Sequence, residues 1–195
     1  MSEAAVKSQA KSKIRTSTIV ITGMMAAVLA ILSIVQIPGP TGVPFTLQVF
    51  AVALCGYVLG TRLGALAVVI YILLGTVGVP VFAGMTAGPG VLMGVSGGFI
   101  FGFIIQAACC GLFVRRNFTN KTMRIAALVI AGLIGTAICE ILGAITISLV
   151  GGMSYPAALV YCFTAFYPMD VVKVMLALVI SLAVRSGLLK AGLLH

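Results

Sequence analysis

The chain has 195 residues, 62% of them hydrophobic and 8% charged, with a mean hydropathy of +1.27. A soluble domain carries roughly 25% charged residues, and a chain this small has too much surface to solvate with so few. A water-soluble fold is therefore excluded, and lipid is the solvent. The formal charge of +9 does not mark nucleic-acid binding, because the basic residues flank apolar runs instead of clustering on a soluble surface; it fits basic membrane loops and contact with membrane lipid.

Residues 1–16 read as a polar tail bearing Lys7, Lys11, Lys13 and Arg15. The apolar run that follows is longer than a signal-peptide core and lacks an Ala-x-Ala site, so it is a retained span. A helix crossing the hydrocarbon needs roughly 20 apolar residues. Spans are expected near 17–36, 45–60, 63–79, 94–114, 124–150 and 168–187, the second and third short and joined around Thr61-Arg62. The expected fold is all-α, a six-helix membrane domain over 17–190 with a short tail at 191–195. On the first span, Gly23, Ala26, Ala27 and Ala30 form a stripe of small residues. Such a stripe admits a close helix neighbour, either within this chain's bundle or from a partner.

Basic residues set the orientation. They fall in the N-terminal tail, at Arg62, at Arg115, Arg116, Lys121 and Arg124, and at Arg185 and Lys190. The loops near 37–44, 80–93 and 151–167 contain none. The positive-inside rule then puts both termini in the cytoplasm of a plasma-membrane protein. All 7 prolines and many glycines lie in or beside the opposite, outward connections. Irregular backbone at membrane depth survives only where protein or a cavity satisfies it, so a pocket is expected on that side. The stretch from Val79 to Gly94 reads as a segment dipping into it.

Charges within the spans are the next signal. Asp170 and Lys173, three apart, share one helical face behind Pro168, which is expected to start the last helix. An intramembrane ionisable group marks a site by default. Lys173 is a lone cation on the outward side, where an anionic ligand can meet it; the alternative is simple neutralisation of Asp170. Glu140, in the outer half of the fifth span, is left with three readings: pairing with Lys173, holding a proton, or touching substrate.

The five cysteines, Cys55, Cys109, Cys110, Cys139 and Cys162, form no Cys-x-x-Cys pair and read as small apolar packing residues. Gly94-Val95-Ser96-Gly97 matches the short nucleophile signature of rhomboid proteases. A serine nucleophile needs a base within hydrogen-bond reach, and the single histidine is His195, the last residue, so an enzyme is not expected. No P-loop is present; the chain needs no cofactor of its own, and any ATP is used by partner subunits.

Four blocks carry a family resemblance: Val43-Pro44-Phe45-Thr46-Leu47-Gln48, Gly78-Val79-Pro80-Val81-Phe82-Ala83-Gly84, Gly94-Val95-Ser96-Gly97-Gly98-Phe99, and Phe166-Tyr167-Pro168-Met169-Asp170-Val171-Val172-Lys173. In this order, on six spans, the chain resembles the biotin-specific substrate-binding subunits of energy-coupling-factor transporters, the BioY type. The resemblance implies a six-helix bundle holding one vitamin molecule near its outer face, under the loop between the first two spans. It implies Thr46, Gln48, Asp170 and Lys173 at the site; Ser96 and Glu140 are further candidates by their own positions, outside the family pattern. It also implies a transmembrane coupling subunit and two cytoplasmic ATPases as partners, with Ala26 and Ala30 docking on the coupling subunit. Val95, Ser96 and Phe99 stand where the family has proline, threonine and tyrosine. A biotin precursor, lipoate or another small carboxylate is the alternative ligand.

Overall fold

The computed structural model describes residues 16–193; the basic residues of the tail and His195 lie outside them. Among the described residues the helices form six long segments. α1 (Thr16–Ile34) leads into a two-stranded ribbon, β1 (Gln36–Ile37) and β2 (Phe45–Thr46), then α2 (Gln48–Leu59) and α3 (Thr61–Thr76). A 3-10 turn (Ala83–Met85) and the short α4 (Pro89–Met93) precede α5 (Gly97–Gly111) and α6 (Lys121–Gly151). α7 (Tyr155–Tyr161), a π-turn (Cys162–Phe166) and α8 (Tyr167–Lys190) close the chain.

α2 is the central element. All its residues except Phe50 are buried, and it touches α1, α3, α5 and α8. A helix apolar on every side is a core helix. Its 12 residues span about 18 Å at the helical rise, against a hydrocarbon core of roughly 30 Å. The longer α1, α6 and the continuous run Tyr155–Lys190 have the length and apolarity to cross a membrane. They flank the shorter α2, α3 and α5.

Small residues let these helices approach. A Cβ on Gly98 would collide with the Leu142 carbonyl, and one on Gly102 with Cys139, so α5 and α6 meet nearly backbone to backbone. α2 and α3 are joined by Gly60 alone, at φ 85°, a left-handed conformation open to glycine at little cost. The buried Tyr57 hydroxyl donates to the Leu128 carbonyl at 3.1 Å, fastening α2 to α6.

Three expectations are corrected. The spans expected to reach residue 36 and to begin at 45 are shorter: Gln36 pairs with Thr46 and Ile37 with Phe45 in an antiparallel ribbon, because this segment must pair its backbone groups where water is scarce. The loop expected over 151–167 shrinks to residues 152–154, with 155–166 helical. Pro168 therefore does not start the last helix. The π-turn before it lets the Tyr167 N–H reach back to the Cys162 carbonyl, which accommodates a residue with no donor inside a continuous helix.

The third correction concerns Ala26 and Ala30, which are 1% and 9% exposed. Both face the chain's own bundle, so neither can form the surface expected to dock on a partner. The exposed small residues of α1 are Gly23 and Ala27. Ala26→Leu is accordingly expected to lower stability by about 1–3 kcal/mol, the cost of overpacking a filled core, while Ala27→Leu leaves it nearly unchanged. Thermal unfolding of the two detergent-solubilised variants measures the difference.

Candidate ligand-binding site

At one end of the bundle α2 begins, α5 begins, and α8 passes. The helices leave a cavity of about 380 Å³ between them, within the size range of small-molecule sites. The ribbon covers it: Gln36 and residues 42–46 line one wall. The segment from Phe82 to Ser96, with its 3-10 turn, lines another.

The start of α2 supplies a fixed amide. Thr46 Oγ1 accepts the Gln48 backbone N–H at 3.1 Å, satisfying a donor at the helix start, and donates to Gln48 Oε1 at 3.0 Å. Gln48 Nε2 donates to the buried Tyr71 hydroxyl at 2.8 Å. The amide is held from both ends, yet it keeps one N–H and one lone pair for a ligand.

α8 supplies the charges. Lys173 Nζ donates to Asp170 Oδ1 at 2.7 Å. Their side chains are 15% and 6% exposed, and both line the cavity. The ammonium has three N–H groups, so one bond to Asp170 leaves donors to spare. Lys173 is the one Lys or Arg among the described residues lining this cavity.

Aromatic rings form the walls. Phe166 meets Phe45 with tilted rings at 4.7 Å, and Phe99 and Tyr161 edge-on at 5.7 Å and 5.4 Å between centroids. Tyr71 meets Phe82 edge-on at 5.5 Å. Such pairs stabilise one another beyond their buried area. They leave an apolar body to the site with a few polar groups at defined points.

Of the residues singled out from the sequence, Thr46, Gln48, Ser96, Asp170 and Lys173 line this one cavity. Glu140 does not. It is 1% exposed on α6, behind Asp170 and beside Cys162, with neither carboxyl oxygen in a hydrogen bond. Tyr71 and Phe166 were not picked out. Phe166 has a sequence signal, since spacings of four and seven put it on the helical face of Asp170 and Lys173. Tyr71 carries only the general expectation that a buried hydroxyl in an apolar span finds a partner.

These features define a multi-pass membrane protein holding a lidded, small-molecule-sized cavity with one ion pair inside. The chain belongs to the BioY family, which it matches over residues 6–190. It is 37% identical over 165 residues to a biotin transporter BioY of Thermotoga maritima, covering 84% of this chain and 93% of that one. Against biotin transporter BioY2 of Lactococcus lactis subsp. cremoris it is 31% identical over 177 residues, covering 91% and 93%. Its fold matches a crystal structure of the S-component for biotin from an ECF-type ABC transporter, with a TM-score of 0.76, 23% identity and 95% of each chain covered.

The ion pair generates a stability test free of any ligand. Removing one partner of a buried pair strands the other, whereas replacing both by apolar groups is close to neutral. Lys173→Met is expected to destabilise the protein by up to about 3 kcal/mol, the low end of that range because Lys173 keeps some exposure. Adding Asp170→Leu recovers most of the loss. Thermal unfolding of the single and double variants without ligand checks the order.

Proposed function

We propose that this protein is the substrate-capture subunit of an ECF-type vitamin transporter, that its ligand is biotin, and that the cavity under the ribbon is the binding site. The observation that carries the reading is the lone cavity cation, Lys173, held by Asp170 and facing aromatic walls. The names of the family and of the matched relatives support the choice of biotin. They are names of transporters, which argues against hydrolysis at Ser96 despite its place in the cavity lining.

In this reading Lys173 holds the valerate carboxylate through the donors that Asp170 leaves free, a charge-assisted contact. With Asp170 engaged by Lys173, the flat ureido group is met by Gln48. The remaining N–H and lone pair of that amide match a neighbouring acceptor and donor. Phe45, Phe99 and Phe166 enclose the bicyclic body. Glu140 lies behind Asp170, outside the cavity lining, instead of touching ligand. Release into the cell is driven by a transmembrane coupling subunit and two cytoplasmic ATPases, which use the ATP this chain has no motif to bind. The face of α1 with Gly23 and Ala27 is open to that coupling subunit.

Calorimetric titration tests the anchor. Lys173→Met is expected to weaken biotin by roughly 2–5 kcal/mol, the range for truncating a desolvated charge pair, and to weaken uncharged biotin amide far less. Equal losses for the two ligands would rule out a carboxylate contact.

The orientation belongs to the same proposal: plasma membrane, cavity outward, both termini in the cytoplasm. It rests on the basic residues between α5 and α6 and at the end of α8, opposite the cavity. On a cysteine-free background, Ser154→Cys should react with an impermeant maleimide in intact cells. Lys121→Cys should react only after permeabilisation. Labelling of position 121 from outside overturns the topology.

A further inference from the structure

The end of the bundle away from the cavity holds a second cleft, lined by Arg115, Arg116, Arg124, Arg185, Phe118 and Leu189 among others. Three chain segments converge there: the connection after α5, the first turn of α6 and the last turns of α8. Arg185 is 8% exposed although charged, and it lies within electrostatic reach of Arg115 and Arg124. Among the described residues no carboxylate offsets them. The acidic side chains among the described residues are Glu140 and Asp170, each about 22–24 Å distant along its own helix by the helical rise.

Backbone carbonyls hold the cluster together. Arg185 Nη1 donates to the Val58 carbonyl at 2.6 Å, and Arg115 Nη2 to the Leu59 carbonyl at 3.4 Å. Both acceptors sit at the end of α2, where the helix dipole favours cations. Arg124 Nη2 donates to the Val114 carbonyl at 3.4 Å. Each guanidinium has five N–H donors, so these contacts leave most unused. Arg124 Nε is buried without any acceptor. The cleft thus concentrates like charge and spare donors, the complement of a group with several anionic oxygens.

The position of the cleft identifies the source of that group. Leu189 lines it and is 44% exposed, and Leu182, two turns earlier on α8, is 41% exposed. Leu112, before the arginine pair, is 53% exposed. Exposed apolar side chains on membrane helices fit contact with lipid tails. A ligand whose anionic head enters the cleft can run its chains down the same flank, which neither a free anion nor a peptide carboxylate does.

We propose that this cleft binds the phosphate headgroup of an anionic phospholipid at the membrane face opposite the vitamin site, with Arg185 and Arg124 as its inner contacts and Arg115 and Arg116 at its rim. Basic pockets between membrane helices are suited to such headgroups.

Native mass spectrometry of the full chain in detergent tests this with phosphatidylglycerol and chain-matched phosphatidylcholine. The wild type should retain one phosphatidylglycerol preferentially, and millimolar inorganic phosphate should not displace it. Arg115→Gln/Arg124→Gln, which leaves the buried Arg185 in place, should reduce retention by about 30-fold, at roughly fivefold per basic residue. Biotin binding by the same variant should stay unchanged and serves as the control for folding. Equal retention of the two lipids, or undiminished phosphatidylglycerol retention by the variant, overturns the proposal. Displacement by inorganic phosphate reassigns the cleft to a free anion.

Discussion

Hydrocarbon offers no hydrogen-bond partners, and that constraint organises this molecule around one short helix. α2 is buried on nearly every side and is too short to cross the bilayer core by itself. Its first residue, Gln48, lies at the cavity, where the preceding chain is irregular. There the chain cannot remain bare coil, because each unpaired backbone group in lipid is costly. It closes the gap with a paired ribbon, a 3-10 turn and a short helix, each of which contributes residues to the lining of a shared cavity. The cavity is what a truncated core helix leaves when longer helices surround it.

The same geometry sorts the charges. α8 carries Asp170 and Lys173 at the cavity end and Arg185 at the other, and the intervening turns are apolar but for Ser181. At the cavity end the charges neutralise each other at 2.7 Å. At the far end like charges gather on the terminal carbonyls of α2. One central helix therefore sets both polar regions. Its start fixes Gln48 through Thr46 and Tyr71, and its end anchors the arginines. Bonds between elements, Gln48 to Tyr71, Tyr57 to the Leu128 carbonyl, Gln106 to Thr136 and Arg185 to the Val58 carbonyl, hold α2, α3, α5, α6 and α8 in register.

The continuity of the last helix matters for the site. A break at Pro168 would free the segment carrying Phe166 from the one carrying Asp170. The π-turn keeps them on one rigid element, and insertions of this kind shift the helical phase just where a side chain must be aimed. Phe166 then faces Phe45 and Phe99 while Asp170 and Lys173 face the same cavity. Aromatic wall and ion pair move as a unit.

Composition and hydropathy by themselves determined the solvent, the number of long helical segments and the end of the molecule where irregular backbone collects. Spacing determined that Asp170 and Lys173 share a face, because three residues along a helix is nearly one turn whatever the surroundings. The four blocks carried the family, since their order along the chain is a property of sequence alone. Only the tertiary structure decided which face of α1 is free: Ala26 and Ala27 are identical in chemistry, and burial by neighbouring helices separates them. It also decided that Glu140 stands behind the cavity and that Tyr71, 23 residues from Gln48, orients the amide. Helical periodicity gives a residue's direction relative to its own axis, but the rotation of each helix within the bundle is set by packing against the others.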